Sequence, residues 1–346
     1  MGVKLGGIVS GRKVDLSELS GRIVAVDAYN VLYQFLSVIR GFDGTPLRDR
    51  HGRVTSHLSG LLYRTARLTE AGMRLIYVFD GAPPALKSIE IKRRVQAREE
   101  ARLKYEEAKR EGKLEEARVY AQAASSLSDY MVDGAKRLLE SMGVPWVQAP
   151  SEGEAQAAHL VMKGDAWAVA SQDYDSLLFG APRLVRNLTI TGRRKLPRKR
   201  VYITVKPEVI ELGQALGQLG ITREQLITLG ILIGTDFNPD GIKGIGPKTA
   251  LKLVKKYGTL DEVVRNVRGA EFPVRPEEIA DVFLNPDVTD DYVIEWREPN
   301  ASEVIEFLCG EHDFSEDRVR KALEKISAGY ERMERRDTLE RWFGRR

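Results

Sequence analysis

Residues 22–27 read Arg-Ile-Val-Ala-Val-Asp, a short apolar run closed by an acid. The pattern recurs outward along the chain. It returns as RLIYVFD at Arg74–Asp80, VPWVQA at Val144–Ala149 and WAVASQD at Trp167–Asp173, each ending in an acidic or Pro/Ser-rich turn. Segments of helical spacing, such as His57–Ala71 and Tyr130–Met142, lie between them. Near-continuous apolar strands alternating with helices predict an α/β fold, a doubly wound and mostly parallel sheet flanked by helices. Sheets of this kind bind ligands outside the carboxyl ends of their strands. Here those ends carry Asp27, Asp80, the Ser151–Glu154 turn and Asp173.

Seven acids fall where strands or helices terminate: Asp27, Asp80, Glu152, Glu154, Asp173, Asp175 and Asp236. Asp173 and Asp175 are two residues apart, which at a strand end sends both side chains to one side. Glu152 and Glu154 sit at the first turn of a helix. Carboxylates converging on one pocket raise one another's pKa and cannot all ionise unpaired. Two divalent cations relieve that repulsion, and oxygen-only ligation suits Mg²⁺, with Mn²⁺ as a substitute, rather than zinc. Two such ions ~4 Å apart clamp the attacking and leaving oxygens of a phosphodiester. Each acid also has a plainer reading. Ser151-x-x-Glu154 is a capping box, Asp27 and Asp80 are turn formers, and Asp175 caps the next helix. Four independent acidic strand ends on one edge argue against that reading for the set.

Charge elsewhere is bunched. Lys87–Arg118 holds eleven Lys/Arg against eight Asp/Glu, has no strong apolar stripe, and offers Gly112 as a break. It reads as a projecting helix or a solvated linker. Thr191–Arg200 has six basic residues in ten and no acid. An apolar helix at Arg223–Gly234 precedes GIKGIGPKTALKLVKK (Gly241–Lys256), and Asp313–Arg346 is charged and helical. The chain has 346 residues with net charge +4, four scattered histidines matching no zinc spacing, and one cysteine, Cys309. An internal disulfide is excluded, and a cytoplasmic setting is expected. No apolar run approaches the ~20 residues of a membrane span, and the first residues lack a signal-peptide core.

The segments VAVDAYNVLYQF, YVFDGAPPALK, APSEGEAQAAHLV, SQDYDSLLFG and LIGTDFNPDGIKGIGPKTALKL, in this order, resemble the flap endonuclease family of 5′ nucleases, archaeal type. The resemblance runs from Met1 to about Tyr330 and continues into the tail. It implies a nuclease domain over 1–330, with an N-terminal region 1–100, an internal region about 117–260 and a C-terminal helical part 261–330. It implies a helical arch about 85–135, a helix–two-turn–helix at 237–257, and a tail 331–346 with a sliding-clamp motif. The seven acids would bind two catalytic Mg²⁺. The enzyme, a monomer, would cut 5′ flaps at their base in replication and repair, with 5′–3′ exonuclease activity.

The resemblance also assigns Lys87 and Arg94 to the arch base beside the scissile phosphate. There a cation stabilises charge building on the phosphate. For Lys92, Arg93 and Arg98 a solvated charged face is expected. The resemblance would place Gly2 near the active site; Tyr33 would stack on a base next to the cut, or pack in the core; Arg40 and Arg64 would touch DNA. By the same resemblance Lys243, Gly244, Gly246, Lys248 and Lys252 would grip duplex backbone, in a loop that in the family also holds a monovalent cation. Pro247 breaks any P-loop reading of this stretch. Leu339, Trp342 and Phe343 form the clamp plug, with Arg336 where the family has glutamine. Two competing readings stay open. One is a nuclease of the same superfamily acting on bubbles or junctions. The other is a non-catalytic branched-DNA scaffold, which would gain nothing from seven carboxylates facing DNA.

Overall fold

The computed structural model describes residues 2–41, 44–190, 192–195, 202–267 and 272–343. Nine strands are described: β1 (Arg12–Lys13), β2 (Ile23–Asp27), β3 (Arg74–Phe79), β4 (Trp146–Gln148), β5 (Ala168–Ala170), β6 (Arg183–Arg186), β7 (Gly192–Lys195), β8 (Tyr202–Val205) and β9 (Glu208–Glu211). The first helices are α1 (Ala28–Val38), α2 (Ser56–Glu70), α3 (Ser88–Arg110), α4 (Leu114–Ala123), α5 (Asp129–Ser141), α6 (Gly153–Lys163) and α7 (Asp175–Leu178). Then come α8 (Leu212–Leu219), α9 (Arg223–Ile233), α10 (Pro247–Tyr257), α11 (Leu260–Asn266), α12 (Pro276–Leu284), α13 (Ala301–Ile305) and α14 (Glu316–Phe343).

The large sheet has the order β1-β9-β6-β5-β2-β3-β4. The run from β6 to β4 is parallel, and β9 and β1 close one edge antiparallel. The parallel part therefore starts at β2, winds out through β3 and β4, then crosses back to β5 and β6. The winding reverses between β2 and β5, the place where an open α/β sheet leaves a crevice at its carboxyl edge. The expected doubly wound, mostly parallel sheet is the one that forms. The four expected strands all exist but are shorter. Pro145 precedes β4, and β5 ends at Ala170 because Gln172–Tyr174 bend away.

Side chains alternate strictly between two cores. In β3, Leu75, Tyr77 and Phe79 enter one, while Ile76 and Val78 enter the other. In β2, Val24 and Val26 face the side opposite Ala25. One core is covered by α1, α2, α5, α13 and α14, the other by α6 to α12. Burying one such side chain fully contributes ~1.5–3 kcal/mol, and Tyr77 and Phe79 are both 1% exposed. Both faces covered explains why the strands read as unbroken apolar runs.

Three segments differ from expectation. The charged stretch after Lys87 is neither a lone projecting helix nor a linker. It turns at Gly112 (φ 70°) and packs on itself as an α3–α4 hairpin. Its seam is made of small residues, Ala101 and Ala108 against Ala117 and Ala121, too small to register as an apolar stripe. Residues 285–299 are extended rather than helical and strap the two halves, with the Trp296 indole donating to the Leu75 carbonyl at 2.9 Å. Residues 331–343 continue α14 without a break, with Met333 buried and Arg332 donating to the Glu70 carbonyl. Of the basic stretch 191–200, only the backbone of β7 is described. No described helix is long and apolar enough to cross a membrane.

Candidate active site

Each acid reaches the carboxyl edge of the sheet by a different local route. Asp27 ends β2 and caps α1: its Oδ1 accepts from Asn30 N at 2.9 Å, and Oδ2 accepts from Ser171 Oγ at 3.2 Å. Asp80 follows β3 and accepts from Gly153 N, at the start of α6, at 2.7 Å. A Cβ on Gly153 would stand 2.5 Å from that Asp80 oxygen, so only glycine lets α6 come this close. Glu152 is the N-cap residue of α6 but makes no side-chain cap. Its carboxylate takes Lys87 Nζ at 2.6 Å instead, and the capping-box alternative therefore does not form.

Glu154 points one oxygen into the interior with no partner. Asp173 lies in the turn beyond β5 and accepts from Asn30 Nδ2 at 3.0 Å. Asp175 is the first residue of α7 and accepts from Val3 N at 2.7 Å. The two therefore do not share a strand face, as their spacing suggested; a turn and a helix start bring them together. Asp175 also does not cap α7, whose N-cap is Tyr174. Gly2 lies against the Asp175 carboxylate, where a Cβ would be 2.7 Å from both oxygens. Asp236 follows α9 and accepts from Arg94 at 2.6 Å, with Lys87 Nζ at 3.3 Å.

The seven share one field. Asp27 feels Asp80 and Asp173; Asp80 feels Glu152; Glu154 feels Asp175, Asp27 and Asp173; Asp175 feels Asp236 and Asp173. Burial first, and neighbouring carboxylates second, raise Asp27 to about 8, Asp175 to about 7 and Asp80 to about 6, and lift Glu154 well above its ordinary value. Asp236 moves the other way, because Lys87 and Arg94 overcome the effect of its burial. Lys87 is raised although burial alone would lower it, since Glu152 and Asp236 flank it.

Among the described residues no three acids stand close enough to hold an ion as placed. Lys87 lies between Glu152 and Asp236, Arg94 pairs with Asp236, and the two cations take up part of the charge. The donor set nevertheless suits hard divalent cations: it is all oxygen, over-supplied with negative charge, and includes the unpartnered Glu154 Oε1. A stability test follows from the signs. These acids have raised pKa values in the folded state, so the folded state holds more protons than the unfolded one. The resulting stability is full below about pH 4 and is lost as pH rises through about 6–8. The metal-free protein should therefore melt lower at pH 9 than at pH 6. Mg²⁺ should raise the melting temperature more at pH 9, because bound metal requires deprotonated ligands. Calorimetry across that range checks both; a melting temperature flat in pH and indifferent to Mg²⁺ contradicts the cluster as described.

Sequence comparison agrees with this geometry. Residues 1–101 match the XPG N-terminal domain and residues 143–236 the XPG I-region. Flap endonuclease 1 of Staphylothermus marinus is 59% identical over 331 residues, 95% of each chain. The chain belongs to the flap endonuclease 1 family. Flap endonuclease-1 from Methanococcus jannaschii superposes with a TM-score of 0.75 at 43% identity, over 95% of this chain and 98% of that one. The catalytic core of Rad2, solved with DNA substrate, shares the fold at 23% identity, with a TM-score of 0.67 over 91% of this chain and 96% of that one.

The remaining expected residues of this flap endonuclease 1 family member lie on several elements of the chain. Tyr33, on α1, belongs to neither core; Arg98 of α3 covers its ring at 5.0 Å and donates to its hydroxyl at 3.1 Å. Arg98 is thus engaged rather than merely solvated, and Arg93 is paired with the exposed Asp240 at 2.8 Å. Arg40 ties the end of α1 to the far end of the hairpin, donating to the Gly44 carbonyl and Ser125 Oγ. Arg64 is half-buried on α2, and burial lowers its pKa to about 10.

Lys243, Gly244, Gly246, Lys248 and Lys252 are all exposed around the start of α10. Gly246 is its N-cap with no side-chain cap, and Pro247 opens it. Ala250 and Val254 bury the opposite face. Leu339, Trp342 and Phe343 fall on the last turns of α14, but the placement of their side chains lies outside the described residues.

Three residues at the site escape the motif reading. Asn30 holds Asp27 and Asp173 together, Ser171 bridges to Asp27, and Glu90 takes Arg94 Nε at 2.8 Å. Asn30 had a local signal, three residues after a strand-ending Asp in capping register. Ser171 and Glu90 had none, since their partners are distant in sequence or hidden in a charged run.

Proposed function

We propose that the chain is a structure-specific 5′ nuclease that cuts DNA at the base of 5′ flaps, in replication and repair, with two divalent ions held by the seven carboxylates. The observation that carries this reading is the convergence of those acids at the sheet's switch point, with Lys87 and Arg94 brought in from the base of the α3–α4 hairpin. Asp27, Asp80, Glu152, Glu154, Asp173, Asp175 and Asp236 would hold Mg²⁺ or Mn²⁺ directly or through water. When bound, the ions supply a nucleophilic hydroxide and neutralise charge on the phosphate.

The chain's own groups do the rest. Asn30 and Ser171 fix carboxylate orientation by donating to Asp27 and Asp173. Lys87 Nζ and the Arg94 guanidinium donate to phosphate oxygens as charge builds on them. The Tyr33 ring offers a stacking face for the base beside the cut. The α3–α4 hairpin arches over the site and encloses the single-stranded flap. Arg40 and Arg64 meet the strand near the junction. Gly2 keeps the amino terminus against Asp175. Cleavage of a labelled 5′ flap tests the reading: EDTA should abolish it, and Mg²⁺ or Mn²⁺ should restore it.

Duplex DNA lies along the start of α10, where backbone N–H groups and a helix N-terminus meet phosphate. Carbonyls of the same loop would hold a monovalent cation. Replacing both Lys243 and Lys248 by alanine should weaken all branched DNAs alike and reduce the salt slope of binding by about 1–2. An unchanged slope removes this loop from the contact surface.

The end of α14 is read as the sliding-clamp motif, with Leu339, Trp342 and Phe343 on one helix face. Deleting residues 338–346 should leave flap cleavage unchanged and abolish stimulation by the clamp, as each aromatic anchor contributes ~2 kcal/mol or more. Arg336→Gln should tighten clamp binding modestly. Equal clamp affinity with and without the tail, by calorimetric titration, contradicts the assignment.

A further inference from the structure

Helix α3 has 23 residues and buries only three of them: Ala101 and Ala108 in the hairpin seam, and Glu90. A buried acid on an otherwise solvated, charged helix needs a reason, since charged residues are seldom buried without a pair. Glu90 is 7% exposed and sits three residues after Lys87 and four before Arg94. These spacings put all three on one helix face. Its Oε1 accepts Arg94 Nε at 2.8 Å, while Arg94 Nη2 reaches the Asp236 carboxylate at 2.6 Å. The guanidinium is planar and its donors are fixed, so a carboxylate gripping Nε dictates where the Nη groups point.

Helix stabilisation is the plainer account of Glu90, because an acid in a first turn favours the helix dipole. That account requires neither burial nor an arginine. It also leaves unexplained an eighth carboxylate beside a cluster already strained by seven.

We infer that Glu90 is a positioning residue for the cleavage reaction: it holds Arg94 by Nε so that the far edge of the guanidinium faces the reacting phosphate. The inference rests on the reading of Arg94 given above. Lysine could not substitute for this arginine, having no second edge to be gripped.

The test is a double-mutant cycle in single-turnover flap cleavage, with flap affinity and melting temperature measured for every variant. Glu90→Ala should slow cleavage about 10-fold with flap affinity within 2-fold, consistent with one misplaced charged donor. Glu90→Gln, which retains an acceptor oxygen, should recover much of the rate. In the Arg94→Ala background, Glu90→Ala should cost no more than 2-fold further, because the residue it positions is gone. Two results overturn the inference while leaving Arg94 in place. One is a full additive loss in the Arg94→Ala background. The other is a normal rate for Glu90→Ala where Arg94→Ala is slow. A normal rate for Arg94→Ala overturns the reading of Arg94 and this inference with it.

Discussion

Asp173→Ala is expected to bind a 5′ flap as the unaltered protein does and to cut it more than ~10³ times more slowly, a loss of about 4 kcal/mol of transition-state stabilisation. Asp173 sits between Asp27, Glu154 and Asp175 in the field of the cluster. Its removal takes away one set of oxygens at the centre of the site. It should not unfold the protein, because the neighbouring carboxylates lose a repelling charge when it goes. The metal-free variant should melt no lower than the parent at pH 8, and Mg²⁺ should raise its melting temperature less. Single-turnover cleavage beside flap anisotropy separates the two effects. Cutting at a near-normal rate removes Asp173 from the proposed ligand set.

Lys87→Ala should lower single-turnover cleavage by roughly 10²–10³, the scale of removing one preorganised donor, with little change in flap affinity. Lys87 Nζ stands 2.6 Å from Glu152 and 3.3 Å from Asp236, and its side chain is 13% exposed. An ammonium so placed is desolvated, charged and within reach of whatever those acids hold. Lys87→Ala also takes the counter-charge from Glu152 and leaves Asp236 with Arg94 alone, so the metal-free variant should melt lower than the parent above pH 7 and recover on addition of Mg²⁺. Lys87→Arg keeps the charge but not the compact shape, and should retain part of the rate. A defect confined to flap affinity makes Lys87 an ordinary phosphate contact.

Much of the fold is legible because the strands are short apolar runs covered on both faces, and β2 and β3 run directly into an acid. Asp27 and Asp80 follow directly from that rule. Asp173 and Asp175 were found for a reason the structure replaces: they meet through a turn and a helix start, not through strand alternation. Asp236 is fixed by the turn after α9, which periodicity alone does not place beside Asp175 and Lys87. The α3–α4 hairpin packing was hidden because an alanine seam carries little hydrophobic signal. Ala101, Ala108, Ala117 and Ala121 pack the hairpin by letting backbones approach, which no apolar stripe reports. Arg98 and Glu90 were unreadable for a related reason. Among nineteen charged residues, nothing local marks which one finds a ring and which one grips Arg94.

The central claim is that this edge of the sheet cuts branched DNA at a 5′ flap. The direct measurement is a matched-salt comparison of end-labelled flap, nick, bubble and four-way junction DNA, with Mg²⁺ and with EDTA. The account predicts one dominant cut at the base of the flap with Mg²⁺, weaker action on the other substrates, and no cut in EDTA. Cleavage that persists in EDTA, or that proceeds equally on bubble and junction, contradicts it.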